Sequence, residues 1–219
     1  MKRRLSGVAA VLLAAFAGAC RKEAPPLVIA CAGDSLMRPV PAHLERLLPE
    51  SAVPRFALHE WARGGLTVAG FRNFLGRHAE TWNEARADVV FVQLGTNDVP
   101  RLLSGDERLR DFKTGLTAVI RRFKGFRTKR GDSPLVIVAT VPYFADGPAD
   151  SDKNRYIAET LNPALRDVVE RAGACLADSF AVLEGRPDLY DPDGVHPNTA
   201  GEIALTRNWI RTLKDCRDR

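Results

Sequence analysis

Two short stretches near opposite ends of the chain carry residue types that together can break an ester bond. Ser35 lies in a glycine-rich segment near the amino end, and Asp193 and His196 stand three positions apart near the carboxyl end. A serine hydroxyl is a weak nucleophile until a base takes its proton. Positions three apart on one helical turn share a face, so the Asp193 carboxylate could orient the His196 imidazole. The pattern predicts Ser35 as nucleophile, His196 as base and Asp193 as its partner.

Two further islands offer hydrogen-bond donors for the negative charge that develops on an ester oxygen during attack. Asn97 has an uncharged side-chain amide, and Gly65, the second of two consecutive glycines, has a backbone amide that no side chain shields. The backbone amide of Ser35 is the third predicted donor. Asp98, which follows Asn97, is expected to brace its loop through backbone amides rather than to act as a second catalytic acid.

Each island read alone also fits a structural role, as a helix cap or a turn. A calcium-binding loop beginning at Asp191 is another alternative, but Val195 and His196 stand where such a loop needs a ligand and a glycine. The cysteines and histidines show no zinc-site spacing. We therefore expect neither a metal nor a cofactor.

The elements that must position these residues can be predicted from the apolar pattern. Short runs of apolar residues bounded by Gly, Pro or Asp predict five strands, at 27–32, 55–59, 89–94, 135–141 and 175–177. Helical spacing predicts helices around 40–48, 68–86, 112–123, 156–169 and 203–213. Strands that alternate with helices favour a parallel sheet with helices on both faces and ligands beyond the carboxyl ends of the strands. The islands follow the first, second, third and fifth predicted strands.

In this order the islands resemble the four sequence blocks of the SGNH or GDSL hydrolases, a superfamily of esterases, lipases, lysophospholipases, carbohydrate deacetylases and some acyltransferases. The matching segments are Gly33-Asp34-Ser35-Leu36, Gly65, Gly95-Thr96-Asn97-Asp98 and Asp193-Gly194-Val195-His196-Pro197. The likeness spans about residues 27 to 214. It implies an α/β, flavodoxin-like, three-layer α/β/α fold with a five-stranded parallel sheet.

The resemblance also implies site roles: Ser35, Asp193 and His196 are catalytic, and Ser35, Gly65 and Asn97 donate to the oxyanion. The second block departs from the family pattern, because Glu60 stands where many members have asparagine. Either Gly64 or Gly65 could then be the donor, and Thr67, at the family's usual offset, favours Gly65.

The leading hypothesis is a serine esterase that cleaves a small acyl ester, either a carbohydrate O-acyl group or a lipid ester, through an acyl-enzyme on Ser35. An acyltransferase with the same acyl-enzyme, a noncatalytic binding module on the same fold and an unrelated doubly wound binding or signalling domain are the alternatives. Trp61, Arg63 and Tyr143 follow predicted strand ends and are candidate substrate contacts. The aromatic rings could stack on a sugar, and the arginine could meet an anion.

The amino end of the chain has the features of an export signal. Residues 1–19 combine a basic start with a short apolar run, and small residues precede Cys20. The segment resembles a bacterial lipoprotein signal in which Cys20 becomes lipidated, with ordinary secretion as the alternative. We expect residues 20–26 to be a tether and 27–219 to form one hydrolase domain in the cell envelope, with its only membrane contact through the lipid anchor.

Charge and cysteine content constrain the remaining partners. Removal of residues 1–19 takes away three basic residues and no acid, which lowers the formal net charge from +5 to +2. No nucleic-acid partner is expected, and the oligomeric state stays open. In the implied fold the last helix runs back from the catalytic edge and brings Cys216 near Cys175, so these two are expected to pair while Cys31 stays a buried thiol.

Overall fold

The computed structural model describes residues 25–51, 55–147 and 151–218. It contains one sheet of five parallel strands in the order β2-β1-β3-β4-β5. The strands are β1 (Leu27–Gly33), β2 (Phe56–Ala62), β3 (Val89–Gln93), β4 (Leu135–Ala139) and β5 (Cys175–Ala177). The predicted parallel sheet is confirmed, and its strand order is that of flavodoxin-like folds.

Eight α-helices cover the sheet within the described residues: α1 (Val40–Leu47), α2 (Val68–Glu84), α3 (Val99–Ser104), α4 (Leu109–Lys124), α5 (Asp152–Tyr156), α6 (Asn162–Arg171), α7 (Ser179–Leu183) and α8 (Thr199–Arg217). A π turn at Ile157–Leu161 joins α5 to α6, and single 3₁₀ turns lie at Ser35–Met37, Pro49–Ser51 and Pro187–Leu189. The short helices α3 and α7 and the π turn escaped prediction, because segments of five or six residues are too short to show a helical period.

Alternate residues of the strands point into two separate cores, as the two-residue period of a strand requires. In β1, Val28 and Ala30 pack with residues of α2, α4 and α6. Ile29 and Cys31 point the other way and pack with residues of α1 and α8. The sheet is therefore the middle of three layers, as predicted.

The strand β2 is longer than the sequence pattern predicted. It was expected to end at His59, but its parallel pairing with β1 continues to Ala62, which lies opposite Gly33. Trp61 therefore belongs to the sheet rather than to the loop beyond it.

The predicted cysteine pairing is present. Cys175 and Cys216 form a disulfide with their Cα atoms 6.5 Å apart. Cys31 is a free, buried cysteine, and burial raises the pKa of its thiol. The bond joins the end of α8 to the start of β5, which lies at the edge of the sheet opposite the catalytic loops.

The predicted signal segment and Cys20 lie outside the described residues. Within the part of the chain that the structure describes, no helix is both long and apolar enough to cross a membrane.

Candidate active site

Ser35 is presented at the point where the strand order of the sheet reverses. After β1 the chain passes to β2 on one side, whereas β3 lies on the other side of β1, so the loops after β1 and β3 diverge and leave a crevice. Gly33 has a φ of 151°, and a Cβ there would overlap the carbonyl oxygen of Gln93. This close approach lets the Asp34 amide donate to the Gln93 carbonyl at 3.1 Å. Ser35 follows at once, at the start of a 3₁₀ turn.

The three predicted catalytic side chains meet at this crevice. His196 Nε2 lies 2.9 Å from Ser35 Oγ, and His196 Nδ1 lies 2.7 Å from Asp193 Oδ2. The hydrogen bond from the His196 ring, followed by bonds from the backbone amides of His196 and Val195, lowers the pKa of Asp193 to about 2. The carboxylate is therefore charged at neutral pH and holds a proton on Nδ1, which leaves Nε2 free to accept one from Ser35.

A closed turn, rather than a turn of helix, holds Asp193 and His196 together. Asp193 Oδ1 accepts from the amides of Val195 and His196, each at 2.9 Å, and the Asp191 amide donates to the His196 carbonyl at 2.8 Å. The helix α8 begins three residues later, where Asn198 caps its first amides. The predicted contact between Asp193 and His196 is thus present, but the backbone between them forms a closed turn instead of the expected helical turn.

Two of the three predicted oxyanion donors, Gly65 and Asn97, lie in loops that are tied to each other. Asn97 Nδ2 donates to the Leu66 carbonyl at 3.1 Å, and its second N–H is left for a substrate. Gly65 has a φ of 75°, with open space where a Cβ would stand. A Cβ on Gly64 would instead lie 3.7 Å from the Ser35 Cβ. These contacts do not decide between the two glycines, so Gly65 as the donor stays a prediction.

Asp98 braces these loops, as predicted. Both of its carboxyl oxygens lie 3.1 Å from the Val68 amide, at the start of α2. Asp98 is fully buried, and burial, followed by the nearby Glu107 carboxylate, raises its pKa to about 7. The side chain therefore anchors the loop that follows β2 to the loop that follows β3.

Asp34 is a second buried carboxyl group, next to Ser35. Its Oδ1 accepts from the Leu36 amide at 3.1 Å, and the buried Thr96 side chain interacts with the same carboxyl group. Loss of solvation raises the pKa of Asp34 to about 7, although the Leu36 bond and the nearby His196 oppose this shift.

Two of the three predicted substrate contacts are wrong. Trp61 is buried and stacks on Trp82, with ring centroids 4.7 Å apart, because β2 carries it into the core. Tyr143 lies in the loop after β4 and is buried in an apolar cluster, where its ring meets that of Phe180 edge to face. Neither ring offers a face to a sugar. Arg63 is exposed, and its guanidinium lies 5.6 Å from the centre of the Phe74 ring in α2.

A small cavity beside Ser35 was not anticipated from the sequence. It has a volume of about 50 Å³, and its walls are Ser35, Leu36, Pro39, Val40, His196, Pro197, Glu202 and Leu205. Glu202 Oε2 lies 2.8 Å from His43 Nε2, a contact between residues 159 positions apart that no local pattern could have revealed. A larger groove of about 730 Å³ lies between α4 and α6 and includes none of the predicted catalytic residues.

The described residues contain no cluster of three or more histidine, cysteine, aspartate or glutamate side chains that could hold a metal ion.

The model of the GDSL-like Lipase/Acylhydrolase family matches residues 28–202 of the sequence. The chain belongs to this family. It is accordingly an enzyme that hydrolyses carboxylic ester bonds, and the predicted resemblance is confirmed. No curated protein matches the sequence.

Solved structures with the same fold are similar at low sequence identity. Axe2, an acetylxylan esterase from Geobacillus stearothermophilus, superposes with a TM-score of 0.65 at 18% identity, covering 86% of this chain and 94% of its own. LAE5, an alpha/beta hydrolase enzyme from the metagenome of Lake Arreo in Spain, gives a TM-score of 0.65 at 20% identity, covering 87% of this chain and 96% of its own. These likenesses establish the fold of this GDSL hydrolase.

Protonation of Asp34 should make the stability of this GDSL hydrolase depend on pH. The pKa of Asp34 is 3.8 when unperturbed and about 7 in the folded protein. The folded state thus keeps a proton that the unfolded state releases, and stability falls as pH rises from about 4 to about 7. Asp34→Asn keeps the bond to Leu36 and removes this titration. We expect its thermal midpoint to fall less between pH 4.5 and pH 7.5 than that of wild type. An equal fall in the two proteins would contradict the raised pKa of Asp34.

The oxyanion prediction is tested by comparing small substitutions at three positions. Asn97→Ala should lower kcat by about a hundredfold or more with little change in KM, because its donor acts mainly on charge that develops in the transition state. Gly65→Ala should lower kcat by at least about tenfold, since a side chain is strained at its backbone angles and shields its amide. Gly64→Ala is the matched control. If it proves the more damaging glycine substitution, Gly64 rather than Gly65 is the donor.

Proposed function

We propose that this enzyme is a serine esterase that cleaves small acyl esters through an acyl-enzyme on Ser35. The observation that carries the proposal is the continuous chain of short contacts from Asp193 through His196 to Ser35, at 2.7 and 2.9 Å. The contacts lie at the carboxyl edge of the sheet, beside donors suited to an oxyanion.

In the first half of the reaction, His196 Nε2 takes the proton of Ser35 as Oγ forms a bond to the ester carbonyl carbon. The carbonyl oxygen becomes an oxyanion, which accepts hydrogen bonds from the amides of Ser35 and Gly65 and from Asn97 Nδ2. The Asp193 carboxylate stabilises the imidazolium without taking its proton. His196 then gives that proton to the departing alcohol, and the acyl group stays on Ser35.

In the second half, His196 takes a proton from water while the water oxygen attacks the acyl carbon. Collapse of the second oxyanion breaks the bond to Ser35, and the proton on His196 returns to Oγ. The acid product leaves and the enzyme is regenerated. An alcohol acceptor in place of water would give acyl transfer by the same steps, so the resolving nucleophile alone separates hydrolase from transferase.

The size of the cavity beside Ser35 favours a substrate with a short acyl group. Its volume of about 50 Å³ suits a group of a few heavy atoms, and Leu36, Val40 and Leu205 make its wall largely apolar. A long acyl chain would need these core side chains to move. We therefore propose an acetyl or similarly small ester as substrate, of the carbohydrate O-acyl kind that the name of Axe2 records for that protein.

The test is turnover of p-nitrophenyl acetate, butyrate and octanoate, with and without an added alcohol acceptor. We expect the highest kcat/KM for acetate and a loss of several orders of magnitude in Ser35→Ala with little change in stability. A fluorophosphonate should label Ser35 in wild type. Activity that persists in Ser35→Ala would refute the mechanism, and transfer exceeding hydrolysis would make the enzyme an acyltransferase.

The control for the cavity is a pair of variants on one helix. Leu205 and Leu213 are both buried leucines of α8, but only Leu205 lines the cavity. Leu205→Ala should raise the activity on butyrate relative to acetate, whereas Leu213→Ala should leave that ratio near the wild-type value. A preference for octanoate in wild type would contradict the short-acyl assignment.

We also propose that the enzyme is exported and carries a lipid on Cys20, because residues 1–20 have the sequence features of a lipoprotein signal. Metabolic labelling with a radioactive fatty acid should mark the wild-type protein and not Cys20→Ser. The variant should retain esterase activity, since Cys20 precedes the first strand by seven positions. Wild-type protein that is unlabelled and cleaved before another residue would indicate plain secretion.

A further inference from the structure

Two buried asparagines hold the backbone of the loop after β4 in the same way. Asn154 accepts from the Phe144 amide at 2.9 Å and donates to the Phe144 carbonyl at 2.8 Å. Asn162 does the same to Val141, with both distances 2.9 Å. Each asparagine is 3% exposed, so each pair of bonds is made away from water. Both side chains thus satisfy backbone groups that would otherwise be buried without partners.

The π turn between α5 and α6 allows both asparagines to face this loop. Positions eight apart in a regular α-helix differ by about 80° around the helix axis. The turn at Ile157–Leu161 takes up an additional residue. The offset therefore falls to that of seven α-helical positions, about 20°. Asn154 and Asn162 consequently share one side of the combined helix.

The part of the loop that Asn154 holds is in direct contact with the turn that carries Asp193 and His196. The amide of Ala145, the residue after Phe144, donates to the Gly194 carbonyl at 2.7 Å. Gly194 is packed so closely that a Cβ on it would overlap the backbone of Asp146. Since Gly194 lies between Asp193 and His196, a shift of this backbone would move the acid and the base of the triad.

We propose that Asn154 is a positioning residue for the reaction, which acts through Phe144 and Ala145 on the turn that holds Asp193 and His196. The inference rests on the proposed function, because it assigns Asn154 to the support of the proposed triad. Asn162 is the matched comparison. It makes the same two bonds from the same helix to Val141, four residues before the Ala145 amide that reaches Gly194.

The first experiment compares Asn154→Ala with Asn162→Ala. Each variant leaves one amide and one carbonyl group buried without a partner, so both should lower the thermal midpoint by similar amounts. At a temperature well below both midpoints, Asn154→Ala should lower kcat for p-nitrophenyl acetate by about 10- to 100-fold with KM nearly unchanged, since small misplacements of catalytic groups cost about this much. Asn162→Ala should keep kcat within about threefold of wild type. Fluorophosphonate labelling of Ser35 should slow in parallel with kcat.

The second experiment separates positioning from general destabilisation. In an Asp193→Asn background, the carboxylate that Asn154 helps to align is already absent. Asn154→Ala should therefore cause little further loss of kcat there. The proposal would be overturned if the double variant lost kcat by the product of the two single losses. Equal losses of kcat in Asn154→Ala and Asn162→Ala would also overturn it. If Asn154→Ala does not fold, the isosteric Asn154→Asp, which keeps the acceptor for the Phe144 amide, should show a smaller loss of the same kind.

The outcome for Ser35→Ala keeps this inference distinct from the proposed function. Full activity in Ser35→Ala would remove the esterase mechanism itself. An inactive Ser35→Ala together with unchanged kcat in Asn154→Ala would refute only the positioning role.

Discussion

The close approach of β1 and β3 is the constraint on which the catalytic arrangement depends. The two strands are neighbours, but the chain leaves their ends toward opposite edges of the sheet. Gly33 lets the backbone after β1 reach the carbonyl of Gln93 at the end of β3. Ser35 and Asn97 follow these two strand ends, so the separation between these two residues is set by backbone contact. A side chain at Gly33 would disturb both at once.

The carboxyl groups around this junction differ widely in pKa. Burial raises the pKa of Asp34 and of Asp98 to about 7, whereas hydrogen bonds led by that of His196 lower the pKa of Asp193 to about 2. Asp193 is thus ionised at neutral pH beside the His196 ring, where its charge would stabilise an imidazolium. The different environments of Asp34, Asp98 and Asp193 thus give three residues of one type different pKa values.

The sequence was sufficient for the sheet and for the expectation that Ser35, Asp193 and His196 lie together, because both depend on local signals. Strands at 27–32 and 89–94 were visible as apolar runs, and the polar islands stood out at their ends. The misassignment of Trp61 arose because the length of β2 is fixed by pairing with β1, which leaves no signal within β2 itself. Tyr143 was misassigned because burial of a loop residue depends on what packs over it.

Contacts between distant parts of the chain were beyond prediction. The bond between His43 and Glu202 joins α1 to α8, and the bonds from Asn154 and Asn162 reach backbone groups that have no residue-specific pattern. The π turn is similarly hidden, since its sequence, Ile157–Leu161, differs little from that of an ordinary helix. Such contacts fix the positions of side chains whose identities are already visible in the sequence.

The disulfide has a consequence for how the enzyme must be prepared. Cys175 and Cys216 are 41 positions apart. Closing a loop of that length lowers the entropy of the unfolded chain and so stabilises the folded state by about 4 kcal/mol. The bond fastens the far end of α8, the helix whose first turn follows His196. Protein expressed in a reducing cytoplasm would lack this cross-link and would hold α8 by noncovalent packing alone. Purification from an oxidising compartment, or oxidative refolding, is therefore the route to material in which the helix is covalently fixed.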